Sequence, residues 1–270
     1  MSSAKTIVVK IGGGVNTDPV LDDIAALSAR SVRVVLVHGG GPAVDQLASD
    51  LGVPSATIVS PDGTCSRRTD PVTLDVLTMA LLGRVKPSIV EGLRARNVEA
   101  VGLCGADGGM VLAQRRQAVR TIETGRARLI RDDRSGRIVH VRPALISLIL
   151  AGSAVPVISP PVAAIGEQGL LNVDADRVAC AVAAALSAQV LLLLSDVPGV
   201  LADVNDSDTL LSEAGVADLS FVTGRMRHKL RAAVTAAKDI PKVIIAAGAG
   251  EHPVEIALAG GGTRVRHDNV

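Results

Sequence analysis

Five short stretches of this 270-residue chain bring together residue types in patterns that chemistry uses. Val8-Val9-Lys10-Ile11-Gly12-Gly13-Gly14 is an apolar run that ends in a lysine and a glycine turn. Val37-His38-Gly39-Gly40-Gly41-Pro42 is a second apolar run, followed by a second glycine cluster and a proline suited to the start of a helix. Glycines let backbone N–H groups approach phosphate oxygens, and a helix N-terminus adds favourable potential. Each cluster alone also suits a tight strand-to-helix turn. Leu171-Asn172-Val173-Asp174-Ala175-Asp176 is a loop that opens a helix, where Asn and Asp also serve as ordinary caps. Leu194-Ser195-Asp196-Val197-Pro198-Gly199-Val200 ends the most apolar run and also suits a turn. Gly224-Arg225-Met226-Arg227-His228-Lys229 places a lysine near a helix start. The chain has six lysines against 22 arginines. A compact ammonium fits against a phosphoryl group where a guanidinium fork does not, which sets Lys10 and Lys229 apart. Neither glycine cluster has Walker A or GxGxxG spacing.

Positioning these stretches requires strands at whose carboxyl ends the loops gather. Thr6–Ile11, Arg33–Val37, Val98–Leu103, Ala154–Ile158, Val190–Leu194 and Lys242–Ala246 read as strands. Between most of them lie helix-length segments: Pro19–Ala29, Pro42–Leu51, Pro71–Leu82, Ser88–Arg96, Pro143–Ala151, Ala175–Leu186 and Met226–Ala237. Continuous Val/Ile/Leu runs alternating with helices predict an α/β protein, a three-layer αβα sandwich around a mostly parallel sheet. Met110–Val141 breaks this rhythm, and turn signals at Thr124-Gly125 and Ser135-Gly136 predict hairpins. Pro160–Gly169 is the expected boundary between a lobe of residues 1–165 and a lobe of residues 166–270.

Composition excludes several functions. With one Phe, no Tyr and no Trp, the chain has no base-stacking platform and no aromatic membrane belt. The net charge of +1 argues against nucleic acid as a partner. Three cysteines without a CxxC suggest a reducing compartment and no zinc site; we expect a cytoplasmic chain without a membrane span or protein-held metal. Charge is nonetheless uneven. From Arg115 to Arg142 nine arginines face three acids, a local excess of +6, which is either a solvated hairpin surface or a docking face.

Taken in order, the five motifs resemble the amino acid kinase family, in particular its N-acetylglutamate kinase branch, from Lys5 to about Arg266. The resemblance implies ATP and Mg²⁺, with Lys10, Lys229 and Asp176 as the catalytic set and Gly12, Gly13, Gly40 and Gly41 cradling the phosphoryl group. Arg67, within Arg67-Arg68-Thr69, would clamp the acceptor's α-carboxylate, aided by Asn172. Ser195, Asp196, Val197, Pro198, Gly199 and Met226 would border the nucleotide. Cys65–Asp70, Gly102–Gly108, Gly224-Arg225-Met226 and the arginine-rich stretch look more like the LysW-aminoadipate/glutamate kinases, which act in lysine or arginine synthesis on an amino acid joined to a small acidic carrier protein. That carrier would dock on residues 115–142, and the enzyme would be a homodimer. His38-Gly39-Gly40-Gly41 is instead the acetylglutamate kinase form, which keeps free N-acetylglutamate open as the acceptor. A non-catalytic effector-binding member of the fold is the third reading. Gly83-Arg84-Val85-Lys86-Pro87 stands where the family commonly has Gly-x-x-Asn-Lys, which bears on helix packing or the dimer interface.

Overall fold

The structure, a computed structural model, describes residues 5–60, 65–123 and 126–267. The chain begins with β1 (Thr6–Ile11), α1 (Thr17–Ala29), β2 (Arg33–His38) and α2 (Gly41–Asp50). A ribbon of β3 (Thr57–Val59) and β4 (Cys65–Arg67) leads to α3 (Pro71–Met79). A π-helical stretch at Ala80–Val85 then runs directly into α4 (Lys86–Arg94) and on to β5 (Ala100–Cys104). Next come β6 (Val111–Arg115), β7 (Val119–Glu123), β8 (Arg126–Ile130) and β9 (Gly136–Val141). These are followed by α5 (Ala144–Ala151), β10 (Val155–Ser159), β11 (Val162–Ala164) and β12 (Leu170–Leu171). The last part holds α6 (Ala175–Ala185), β13 (Val190–Ser195), β14 (Glu213–Ala214), α7 (Gly224–Ala236), β15 (Lys242–Ala247), α8 (Pro253–Ala259) and β16 (Thr263–Val265).

Eight strands form the central sheet in the order β14-β16-β15-β13-β1-β2-β10-β5, parallel except where β16 runs antiparallel to β15. Side chains alternate between the faces with the two-residue period of the pleat. Ile7, Val9 and Ile11 pack with Ile24 of α1, Leu93 of α4 and Val254 of α8. Val8, together with Leu191 and Leu193 of β13, packs with Val182 of α6, Leu230 of α7 and Ile146 of α5. Each such fully buried aliphatic side chain contributes about 1.5–3 kcal/mol. This is the expected three-layer αβα sandwich. By the same period Lys10 lies on the Val8 face, beneath α6, and His38 lies on the opposite face with Leu36.

A smaller sheet, β12-β11-β6-β9, and the antiparallel ribbon β7-β8 make up the excursion after β5. The predicted turn at Thr124-Gly125 lies outside the described residues. Ser135-Gly136 is not a turn. Ser135 forms a parallel bridge with Asn172, and Gly136 opens β9. The glycine is there for space, since a Cβ on it would lie 3.0 Å from Leu171 Cδ1 and 3.1 Å from Ala113 Cβ. Pro160–Gly169 carries β11 and ends just before β12, while β1 pairs with both β2 and β13, so the central sheet is continuous across both halves of the chain.

Phe221, which an aliphatic core would be expected to enclose, is 44% exposed. It follows the 3₁₀ turn at Ala217–Ser220, and its neighbour Val222 takes the buried place. Among the described residues no helix is long and apolar enough to cross a membrane. The apolar stretch from Val178 to Leu194 divides between α6 and β13, as its pattern predicts.

Candidate active site

Lys10 stands near the carboxyl end of β1, flanked by β2 and β13. Above it α6 starts, with the side chain of Asp174 as its cap, accepting from the Asp176 N–H at 2.7 Å. The cap fixes the first turn, and the turn sets Asp176 over the sheet. Lys10 Nζ lies 2.7 Å from Asp176 Oδ1. Lys229 Nζ, from the second turn of α7, donates to Asp176 Oδ1 at 3.0 Å and Oδ2 at 3.1 Å. All three side chains are buried. Burial alone would lower the Lys10 pKa, but Asp176 and Asp174 outweigh it and hold the ammonium above its ordinary value. For Lys229, burial and the charge of Lys10 prevail, and its pKa is lowered. Burial pushes against ionisation of Asp176, yet the two ammonium groups keep its carboxyl below the usual carboxylate range. Two cations around one anion leave a buried site of net positive charge that is complementary to an added anion.

The glycine loops meet beside this centre. A Cβ on Gly13 would sit 2.8 Å from the Gly41 nitrogen and 3.0 Å from Pro42 Cδ, so the two turns touch only because position 13 is glycine. Gly12 does not offer its amide as expected, because that N–H donates to Leu194 O at 3.1 Å. Gly40 fits against the π-helical stretch, where a Cβ would meet Leu81 Cδ2 at 2.7 Å and Val85 Cγ2 at 3.0 Å. At Gly41 no atom lies within 4 Å of that position. Helix α2 starts there without a side-chain cap, so its leading amides can receive an anion.

Across a cavity of about 540 Å³ stands the second group. Arg67, in β4, is 2.5 Å from Asp45 Oδ1 and donates to Ser55 Oγ at 3.2 Å. Thr69 is fully buried; its N–H donates to Asp133 Oδ2 at 3.0 Å, and its hydroxyl accepts from Asn172 Nδ2 at 3.0 Å. Asp133 Oδ1 accepts from the Ser135 N–H at 2.8 Å. The Thr of Arg67-Arg68-Thr69 is therefore a joint that locks β4, the β8–β9 connection and the Asn172 loop into one wall.

Lys10, Gly12, Gly13, Gly40, Gly41, Arg67, Asn172, Asp176, Ser195, Asp196 and Lys229 all line this one cavity. Val197, Pro198, Gly199 and Met226 lie outside its lining. Gly199 is required by packing, since a Cβ would fall 2.5 Å from Thr263 Oγ1, and Met226 packs against the core. Sequence reasoning missed Asp45, Asp133, Arg177 and His228, and it did not single out Arg116 from its basic stretch. The arginines carry no local signal among so many, although Arg177 directly follows Asp176.

Two buried bases lie on the other face of the sheet. His38 donates from Nδ1 to Gly39 O at 2.8 Å, and its Nε2 is buried without a partner. Burial, aided by the charges of Lys86 and Lys10, brings its pKa down to about 4, so it is neutral. Lys86 donates to Leu103 O, and burial lowers it to about 8. Its stem covers Gly102, where a Cβ would lie 2.9 Å from Lys86 Cδ. The departure from Gly-x-x-Asn-Lys thus accompanies a lysine packed under an unbroken helix.

Among the described residues one group has metal-ligand spacing, Asp23, His252 and Glu255. Asp23 accepts from the His252 ring and from the Val254 and Glu255 N–H groups, which makes it an anchor for α8. In the cavity, Asp174 Oδ1 caps α6 and Asp196 Oδ1 accepts from Ser195 Oγ at 3.1 Å. This donor set suits a cation carried on nucleotide oxygens better than one held by a protein cage.

Residues 5–247 match the model of the amino acid kinase family. The chain belongs to that family. It is a phosphotransferase of the kinase type. The LysW-aminoadipate kinase of Deinococcus radiodurans is 39% identical over 266 residues, covering 96% of this chain and 91% of that one. The Thermus thermophilus LysW-aminoadipate kinase is 36% identical over 269 residues, covering 96% and 100%. Among solved structures, smu.665 from Streptococcus mutans superposes with a TM-score of 0.74 at 24% identity, covering 97% of this chain and 99% of that one, a likeness of fold.

Proposed function

We propose that the protein transfers the γ-phosphoryl group of ATP to the side-chain carboxylate of an amino-blocked acidic amino acid, aminoadipate or glutamate, joined to a small acidic carrier protein. The observation that carries this reading is the Lys10–Asp176–Lys229 centre facing Arg67 and Asn172 across one cavity. The acceptor carboxylate is ionised at neutral pH, so it attacks without a general base. A carboxylate oxygen bonds to phosphorus, the bond to ADP breaks, and the products are an acyl phosphate and ADP. Lys10 and Lys229 neutralise charge on the transferring oxygens, Asp176 holds both ammonium groups, and the Gly13, Gly40 and Gly41 loops cradle the phosphates. Arg67 and Asn172 orient the acceptor. Mg²⁺, when bound, supplies further charge neutralisation on the nucleotide oxygens.

The carrier reading rests on the two LysW-aminoadipate kinases and on the arginine-rich stretch. Arg116, Arg120, Arg126, Arg128, Arg131, Arg137 and Arg142 are exposed, whereas Arg115 and Arg134 are drawn inward to backbone carbonyls and Glu167. We assign acceptor binding mainly to residues 1–165 and nucleotide binding mainly to residues 166–270, with Lys10 and Asn172 crossing that division, in a cytoplasmic homodimer. Val197–Gly199 and Met226 then border the nucleotide beyond the cavity.

An ADP-release assay with free N-acetylglutamate, free N-acetylaminoadipate and a carrier–aminoadipate conjugate tests the reading. Fast turnover of the conjugate alone, falling steeply as ionic strength rises past about 0.15 M, is the expected outcome. Brisk turnover of free N-acetylglutamate would replace the carrier with the small molecule, and no turnover of any acid would point to the non-catalytic role.

A further inference from the structure

Arg67 lines the cavity, yet the groups that hold its Nη1 do not. That nitrogen stands 2.5 Å from Asp45 Oδ1 and donates to Ser55 Oγ at 3.2 Å, and both of these residues lie outside the lining. Nη2 reaches the Gly41 carbonyl at 3.5 Å, a long hydrogen bond. Gly41 and Asp45 are four residues apart in α2, so they share one face of that helix. The Arg67 side chain is 20% exposed and that of Asp45 54%. The guanidinium is thus tied to α2 through Nη1, and its Nε–Nη2 edge, whose Nε–H has no partner among the described residues, is left as the fork for a carboxylate.

An ion pair with an exposed partner adds little to folding stability, so the consequence of this one is geometric. Arg67 stands at the end of β4, a three-residue strand paired with β3 alone among the described residues. A long side chain on so short a ribbon has many rotamers to lose. Asp45 takes that freedom away and refers the fork to α2, the helix whose leading amides are open to an anion. The acceptor clamp and the phosphoryl cradle then share one rigid element. An offset of about 1 Å between reacting groups can cost on the order of 10²-fold in rate, which is what such a shared reference prevents.

We propose that Asp45 is a positioning residue of the transfer reaction: acting through Arg67, it fixes the guanidinium to α2 so that the free edge takes the acceptor's α-carboxylate in register with the phosphoryl cradle. The inference rests on the kinase reading and on Arg67 as the acceptor clamp. It gives a role to an exposed acid that lies outside all five sequence motifs.

The test is steady-state kinetics of Asp45→Asn, which removes the charge and keeps the shape, on the carrier–aminoadipate conjugate and on free N-acetylaminoadipate. With whichever acceptor the parent turns over, the acceptor KM should rise about fivefold and kcat fall about threefold, with the ATP KM in place. Asp45→Glu keeps the charge and should bring both values back to within about twofold of the parent. In an Arg67→Ala background Asp45→Asn should change neither value by more than about twofold, as befits two residues that act as one unit. An unchanged acceptor KM overturns the proposal, and a lower one would make Asp45 a competitor of the substrate carboxylate. An equal loss in the Arg67→Ala background overturns it as well, since Asp45 would then act through α2 without Arg67. Asp45→Ser is a second variant read in the same way, and loss of the fold in both would assign Asp45 to the structure instead. If the parent phosphorylates neither acid, the kinase reading of the acceptor fails, and calorimetry with N-acetylaminoadipate decides on Asp45 alone. Binding weakened by Asp45→Asn upholds the brace on Arg67; equal binding, or none to the parent, overturns it.

Discussion

In the cavity Lys10 and Lys229 share the carboxylate of Asp176 in a buried, hydrogen-bonded centre; elsewhere in its lining, the exposed Arg116 and the half-buried Arg177 have no hydrogen-bond or ion-pair partner among the described residues. Both ends are positive, yet they carry charge in different ways. The lysine end is assembled by the fold, and its geometry is fixed before any ligand arrives. Electrostatic stabilisation of a transition state needs such preorganisation. The arginine end has no such frame, since Arg116 is exposed and Arg177 is half-buried. Substitutions at the first end should therefore alter stability and rate, and those at the second should alter affinity and selectivity.

The largest expected effect is at Asp176. Asp176→Asn leaves two buried ammonium groups without their counter-charge and should cost about 3–5 kcal/mol of stability, read from urea unfolding. An unchanged midpoint would mean that the lysine end is not held together by this carboxylate. Next come the lysines. Lys10→Ala or Lys229→Ala should lower kcat about 10²–10³-fold with the fold retained. Values within a few-fold of the parent would refute their roles. The lowered pKa of Lys229 adds a sign to this prediction: as pH rises, its ammonium is lost before a free lysine would lose its own. The kcat of the parent should thus fall on the alkaline side below the ordinary lysine range, and Lys229→Arg should remove that limb. Smallest is Arg67→Ala. It should raise the acceptor KM about tenfold, leave the ATP KM in place and change stability by less than about 1 kcal/mol, because its partner Asp45 is exposed. A large loss of stability there would erase the contrast between the two ends.

The lysine end was the more legible of the two in the sequence. Lys10 closes a run of residues buried on both sides of a sheet, and Lys229 is one of six lysines, so type and position both marked them. Asp176 was marked by its helix start. The strands were legible for the same reason: a parallel sheet covered by helices on both faces leaves continuous aliphatic runs. The arginine end was hidden. Arg177 is one arginine among 22, and the fold brings it into the same cavity lining as Arg116. Asp133 looks like any acid of a basic loop until Thr69 and Ser135 close over it. Gly136 misled because glycine serves turns and tight packing alike, and which need applies depends on Leu171, distant in sequence. Phe221 misled because hydrophobic character alone does not place a ring that adjoins a surface turn. Of the Ser195–Gly199 loop, the cavity lining takes Ser195 and Asp196, and Val197–Gly199 lie outside it.

The position of β1 at the middle of the sheet has a consequence for synthesis. Its partner on one side, β2, is made almost at once, but β13 ends at Ser195. At the usual pace of translation that interval is on the order of ten seconds, during which one edge of an apolar strand has no mate. Such edges recruit other chains, and an inward-pointing charge is a known protection against this. Lys10 is a charge on such a strand, and it has no carboxylate partner from this site until Asp176 has been made.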